Sequence, residues 1–452
     1  MPAKRRSTLT RNASRMARLA PLALGIALAL GAAGVRAQSL FEVYEAARGF
    51  DASYLAARAL ADSAVYRAEQ VHALRRPSVG LTAGVSRSTL DTGSADRTTR
   101  TTSASIDADQ SLFNRQNDAD IAKADKGVEA AKADVLIAEQ DLILRVSTAY
   151  FDVLTAQETL ASAQANRRAI SEQLASAKRN FEVGTATITD TREAQARFDL
   201  ATAQELQAEN DLQTKRLALD TIVGRSAVAP KPLATPVELA PLVPGSVEQW
   251  VSTTETAPSV LRSRIAYDVA QLETRKARAG HLPTVGLSAG VGRSNNRIDP
   301  ASAVDPSGNR TSTSVGIALN LPLFTGFSVQ NRIKETLLLE EQARENLESA
   351  RRLATQNTRT AFFGAQSLQA QVMAFEAALS SSQLALEATQ LGYRVGVRVN
   401  LDVLNAQTQL FNARRDLAKA RNDVLVNSLR LRQAAGTLSA EDVLKVNQLL
   451  AK

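Results

Sequence analysis

The 452 residues contain no cysteine. Disulfides, thiolate metal sites, a cysteine nucleophile and a lipidated N-terminal cysteine are therefore excluded. Histidine occurs only as His72 and His281, each shortly before a proline (Pro77, Pro283), and the sequence around them offers no carboxylate cluster or nucleophile motif. An enzyme is not expected, and neither a cofactor nor a bound metal is expected. Beyond residue 37 no apolar run is long enough to cross a bilayer as a helix. With 4% aromatic and 22% charged residues, the chain reads as a surface-rich helical protein. Its net charge of +8 invites a nucleic-acid partner, but Lys4, Arg5, Arg6, Arg11, Arg15, Arg18 and Arg36 all lie in the first 37 residues with no acid among them. Without those seven the balance falls from +8 to +1, and no nucleic-acid partner is expected.

The same 37 residues combine a basic start, an apolar run from Leu19 to Val35 interrupted by Pro21, and the small-residue site Val35-Arg36-Ala37. They are expected to be a secretory signal peptide, with the mature chain starting near Gln38.

What the sequence does have is a repeat. Phe181-Glu-Val-Gly-Thr-Ala-Thr-Ile-Thr-Asp190 returns as Tyr393-Arg-Val-Gly-Val-Arg-Val-Asn-Leu-Asp402, an offset of 212 residues from Phe181 to Tyr393. Ala194-Gln195, Asn210-Asp211 and Gly224 recur as Ala406-Gln407, Asn422-Asp423 and Gly436. Glycine suits the left-handed residue past a helix end, and the aspartate six positions later suits the N-cap of the next helix. Val183-Gly184 and Val395-Gly396 thus read as the tips of two helical hairpins.

The order of elements follows the repeat. The first unit, residues 38–224, holds a short helix, strands at about 78–88 and 101–110, a long helix over 116–183 and a return helix over 190–223. A proline-rich crossover, 225–257, contains Pro230, Pro232, Pro236, Pro241 and Pro244; Trp250 is expected to anchor it by packing. The second unit, 258–436, has strands at about 284–293 and 313–321, a long helix over 329–395 and a return helix over 401–435. A terminal helix fills 437–452, capped by Ser439-Ala-Glu-Asp. In the strands Val79, Leu81, Ala83 and Val85, or Ala104, Ile106 and Ala108, alternate with small or polar residues. In the first long helix, positions 149, 153, 156, 160, 163, 167, 170, 174, 177 and 181 step by 4 and 3, a coiled-coil seam rich in alanine. It joins an earlier seam through consecutive steps of 4, a stutter that locally unwinds the supercoil.

At 1.5 Å per residue each long helix is about 100 Å, and two shorter helices laid end to end run beside it. All four strands then cluster at one end of a rod, and both Val-Gly turns lie at the other. An exported chain without spanning helices has the β-barrel as its main membrane option. Four strands cannot close one; three chains supply twelve, and a homotrimer follows. The expected fold is mainly α with a membrane β-barrel part: two tandem repeats of helix, β-hairpin, long helix and helix. A different reading is a trimeric coiled-coil structural or adhesive surface protein, whose small sheet merely caps the helices.

These residues carry a resemblance. From Leu40-Phe-Glu-Val-Tyr-Glu-Ala-Ala-Arg48 to Ala435-Gly-Thr-Leu-Ser-Ala-Glu-Asp-Val-Leu444, with His281-Leu-Pro-Thr284, Gly392-Tyr-Arg-Val-Gly-Val-Arg398 and Asp402-Val-Leu404 as its most specific pieces, the chain resembles the TolC family of outer-membrane efflux and type I secretion proteins. The resemblance implies a trimer with a twelve-stranded barrel in the bacterial outer membrane and a twelve-helix coiled-coil tunnel through the periplasm. It implies a passive exit duct, opened at its periplasmic tip by a periplasmic adaptor (membrane fusion) protein and an inner-membrane transporter, with outer-membrane lipids around the barrel. The implied gate positions are Thr189, Asp190, Tyr393 and Arg398, with an acidic ring at Asp402. Asn405 stands where the family carries a second acid. The hairpin tips at Val183, Gly184, Val395 and Gly396 are the implied adaptor contact. The cargo, whether drugs, metals or secreted protein, is not implied by any of these residues.

Overall fold

The computed structural model describes residues 37–91, 96–234, 241–299 and 307–451. The expected leader lies outside them except for Ala37, as do part of the crossover and both outer strand loops.

Helix α1 (Leu40–Arg48) begins at Ser39, whose hydroxyl accepts from the Glu42 amide at 3.3 Å while the Glu42 carboxylate accepts from the Ser39 amide at 2.9 Å. Asp51 starts α2 (Ala52–His72) by accepting from the Tyr54 amide at 2.8 Å. Pro77 has no amide to extend the helix, and β1 (Ser78–Asp91) and β2 (Asp96–Phe113) follow. Asn114 alone separates β2 from α3 (Arg115–Glu182), whose 68 residues span about 100 Å. Helix α4 (Ile188–Val223) returns along α3. After the crossover, α5 (Val247–Thr253) and α6 (Pro258–Ala279) lead to β3 (Thr284–Asp299) and β4 (Gly308–Asn320). Then come α7 (Ser328–Arg394), α8 (Asn400–Ala434) and α9 (Ala440–Asn447).

The strands form one antiparallel sheet in the order β1-β2-β3-β4, so one edge of β1 and one of β4 are unpaired within the chain. Its register gathers Val79, Ala108, Ala289 and Val315 into one cross-strand row and Leu81, Ile106 and Val291 into the next. Directly opposed residues share a face, so this face is apolar. The other face carries Thr82, Ser105 and Gly292, then Asp107, Gly290 and Ser314. The ladders run past the apolar band, to Asp91 in β1 and Asp299 in β3, because the threonine- and serine-rich ends keep the alternation and go on pairing.

The helices stand side by side in two storeys. Nearest the sheet the order is α2, α3, α6, α7; farther away it is α4, α3, α8, α7. Each storey therefore has two open sides, α7 on one and α2 or α4 on the other. The storeys meet at a belt where α1, the crossover and α9 wrap the rod, burying Leu40, Val43, Tyr44, Val146, Phe151 and Val443 together. This is where the seam of α3 stutters, and Leu142, Ile143, Val146, Ser147 and Tyr150 are all buried there. The phenol of Tyr150 accepts from the Lys231 amide at 2.8 Å and lies 3.0 Å from the Gln38 carbonyl, tying the first described residues to the crossover. Burial pushes that phenol above its ordinary pKa, so it stays a neutral donor. Trp250 is buried, donates to the Pro244 carbonyl at 2.9 Å, and is capped by the Arg432 guanidinium.

Ion pairs and a histidine–carboxylate hydrogen bond hold α3 to its neighbours above the belt. Arg262 binds Asp134 at 2.9 Å and Lys276 binds Asp120 at 2.8 Å, both from α6. From α2, His72 binds the Asp125 carboxylate at 2.8 Å. That histidine thus finds a carboxylate 53 residues on and serves as a tie between helices. Arg145 grips Asp51 through two nitrogens at 2.9 and 3.1 Å.

The Arg145 bonds, with those from Ser53 and the Tyr54 amide, hold the Asp51 carboxyl well below the usual carboxylate range despite its burial. A depressed carboxyl contributes stability that is full above its unfolded pKa of about 3.9 and is lost as pH falls below it. Asp51→Ala is expected to cost about 2 to 3 kcal/mol at pH 7, and the gap from wild type should narrow below pH 4. Denaturant titration by circular dichroism at pH 7 and pH 3 reads both; a pH-independent gap would contradict the assignment.

Candidate functional site

The end of the rod opposite the sheet is made by the two hairpins. At the first, Gly184 takes φ 78° and the Thr185 amide reaches back to the Asn180 carbonyl at 2.8 Å. At the second, Gly396 takes φ 80° and the Val397 amide reaches the Gly392 carbonyl at 2.9 Å. Both are helix ends closed by a left-handed glycine. A side chain there would meet open space but a disfavoured backbone.

The next helix starts sooner than the Val-Gly-to-Asp spacing suggests. Thr187, not Asp190, is the N-cap of α4; Asp190 is its third helical residue and reaches back. Its Oδ2 accepts from the Thr187 amide at 3.0 Å and the Thr187 hydroxyl at 2.7 Å, while the Asp190 amide donates to that hydroxyl oxygen at 3.2 Å. The physical reason is that the turn spends only two residues, Thr185 and Ala186, between the left-handed glycine and the cap, so the helix has begun before Asp190 is reached. In the second copy the cap position is Val399, which has no side-chain oxygen, and Asp402 reaches back to the Val399 amide at 3.4 Å.

The candidate gate residues are brought to this end but are not paired with one another across the hairpins within a single chain. The Tyr393 hydroxyl accepts from Asn180 Nδ2 at 3.1 Å. Arg398 Nη1 lies 3.7 Å from Asp402 Oδ2, and its stem fills the space left by Gly392, where a Cβ would sit 2.8 Å from Arg398 Cγ. Asn405 Oδ1 accepts from Arg197 Nη2 at 3.2 Å, which sets a cation beside that position. Thr189 is exposed and makes no side-chain hydrogen bond among the described residues. Four groups thus keep bonding capacity that their own chain does not use: the Thr189 hydroxyl, Asp190 Oδ1, the Tyr393 O–H and the remaining Arg398 nitrogens.

Sequence reading missed the partners that join the hairpins: Asn180, Arg197, and the Gln173–Asn400 amide pair. The repeat held a signal, since it sets Asn180 against Gly392 and buried Asn400 against exposed Ile188. Behind these polar links Ile170, Leu174, Ala177, Ala194, Ala201 and Leu404 form a small core. The tips themselves leave Val183, Val395 and Val397 at 72%, 66% and 78% exposure.

A paired-repeat helical rod, joined at one end to a two-faced sheet with open edges and closed at the other by two exposed turns, is the build of a membrane-seated channel protein. The pattern described as "Outer membrane efflux protein" matches residues 43–225 and 251–437, and the chain belongs to this family. It is similar to the outer membrane protein TolC of Vibrio cholerae, 34% identical over 434 residues, with 96% of this chain and 98% of that protein covered. It is also similar to the alkaline protease secretion protein AprF of Pseudomonas aeruginosa, 34% identical over 309 residues, with 67% and 63% covered. In fold it matches the crystal structure of the outer membrane protein VceC of Vibrio cholerae, with a TM-score of 0.74, 21% identity, and 88% and 96% covered. The bacterial outer membrane is accordingly its place, with the helical rod extending into the periplasm. The reading as an adhesive or structural surface coiled coil finds no support in these matches.

Gly184→Ala and Gly396→Ala should each cost about 1 to 2 kcal/mol locally, the penalty of an L side chain in the left-handed region. Hydrogen exchange is expected to rise at residues 180–188 or 392–400 and not at the belt; unchanged exchange at the tips would contradict it.

Proposed function

We propose that this chain forms, as a homotrimer, the exit duct of a tripartite efflux or type I secretion system. The observation that carries this reading is the sheet. Its edge strands β1 and β4 have 14 and 13 residues and leave one row each of backbone groups unpaired, beside an apolar outer face whose residues in both edge strands are exposed. A long open edge invites aggregation in water and is untenable in lipid. Three chains joined β4 to β1 remove every edge and give twelve strands, an even number within the range of outer-membrane barrels. The open sides of the helical storeys then meet likewise, α7 against α2 and α4 of the next copy, making twelve helices in cross-section. Each protomer contributes its two repeats, 38–224 and 258–436. Leu323, Phe324 and Phe327 are exposed between β4 and α7, with the two rings edge to face, as suits an aromatic girdle at the periplasmic boundary of the bilayer.

At the far end Thr189, Asp190, Tyr393 and Arg398, which keep bonding capacity unused within the chain, bond between hairpins of adjacent protomers and so hold the entrance shut. The apolar tips Val183, Gly184, Val395 and Gly396 are the surface an adaptor grips to undo them, on behalf of an inner-membrane transporter. Asp402 supplies one acidic ring. The Arg197–Asn405 bond places positive charge where a second acid would stand, so cation preference is modest. The alkaline protease secretion protein favours a secreted polypeptide as one class of cargo.

Two bilayer measurements test this. Losing charge-assisted bonds of about 1.5 to 3 kcal/mol each should make Tyr393→Phe with Arg398→Ser at least about tenfold more open, seen as higher conductance in planar bilayers; wild-type conductance would falsify the latch. Asp402→Asn should shift the reversal potential in a salt gradient toward zero selectivity, and an unmoved potential rules out a constriction at Asp402.

A further inference from the structure

Three arginines stand in one cross-strand row. Arg87 of β1 is paired directly with Arg100 of β2, and Arg100 directly with Arg297 of β3. By the two-residue period they share the face of Val79, Leu81 and Val85, the lipid-facing side. Arg293 lies on the same face two rows nearer the helices, opposite Ala104. Since β1 leaves the helices at Ser78 and runs outward, the row crowns the apolar band at its outer margin, one row beyond Val85.

Opposed residues hold their Cβ atoms about 5 Å apart, and like charges so placed are destabilising unless something neutralises them. Nothing among the described residues does. All four arginines are exposed, and among the described residues none has a side-chain hydrogen bond or ion pair. In register, Asp299 is one row farther out and Asp96 two rows farther, and neither carboxylate is in an ion pair with the row. The flanking rows pair Thr102 with Asn295 on the inner side and Thr89 with Thr98 on the outer side, so solvation alone does not require arginine. The guanidinium fork matches phosphate oxygens two at a time. At this depth of an outer membrane the fixed phosphates belong to the glycolipid of the outer leaflet, whose sugar pair carries two of them above several acyl chains.

We propose that the row Arg87–Arg100–Arg297, with Arg293 beneath it, binds the phosphates of that phosphorylated glycolipid while its acyl chains lie along the Val79–Val85 band. This goes beyond the exit-duct reading and rests on the barrel's place in the outer membrane, not on the gate.

The test uses the full-length protein in detergent, challenged with bisphosphorylated lipid A, monophosphoryl lipid A and phosphatidylglycerol, with bound lipid counted by native mass spectrometry. Wild type should retain bisphosphorylated lipid A best, and the triple variant R87Q/R100Q/R297Q should bind it about tenfold or more weakly. The triple lysine variant should bind at an intermediate level, and R310Q, on the opposite face, should bind like wild type. If the triple glutamine variant does not fold, R100Q alone, which removes the central arginine, should still weaken binding several-fold. Undiminished binding by the glutamine variants overturns the proposal, as does equal wild-type retention of all three lipids.

Discussion

A β-sheet in hydrocarbon cannot leave a backbone edge unpaired, because each orphaned N–H or C=O there costs several kilocalories per mole. In this chain that constraint acts on β1 and β4, and the rest of the architecture answers to it. A single copy satisfies the inner pairings of its sheet and stops. The helices obey the same arithmetic, since each storey ends on open sides at the angular positions where the sheet does. In the proposed trimer, completion of the barrel and of the helical wall is therefore one event. The exposed apolar residues of β1 and β4, such as Leu81 and Ile317, belong to surfaces that lipid covers once the edges are closed.

Rigidity comes from a different source in each part. Along the rod it comes from continuous helix and from ties such as Arg262–Asp134 and His72–Asp125. At mid-height it comes from the belt, where three distant pieces of chain meet on the stutter of α3 and Tyr150 bonds to two of them. The tips have only a small apolar core and a few amide links. The weakest packing lies at the tips, where the proposed opening would occur.

Much of this was legible in the sequence. The 212-residue repeat, the alternation around Val79 to Val85 and the Val-Gly turns gave the element order, and the motifs from His281 and Gly392 gave the family. What could not be read depended on pairing between distant segments. The cap at Thr187 was hidden because Asp190 is also a good capping residue, and the winner is decided by how few residues the turn spends after Gly184. Asn180 and Arg197 are ordinary polar residues on helix surfaces until the hairpins are set side by side. The arginine row needs the register of β2 on β3, which joins residues 197 positions apart at Arg100 and Arg297.

The joint between β2 and α3 carries a mechanical consequence. Only Asn114 lies between Phe113 and Arg115, and its side chain clamps the first turn by accepting from the amides of Gln116 and Asn117 at 3.0 and 3.3 Å. The matching joint between β4 and α7 has seven residues, two of them, Gly326 and Phe327, with positive φ. One long helix is thus joined to the sheet through a single clamped residue, while the other hangs from it on a seven-residue link. In the proposed opening, α7 therefore has the freer joint about which to turn.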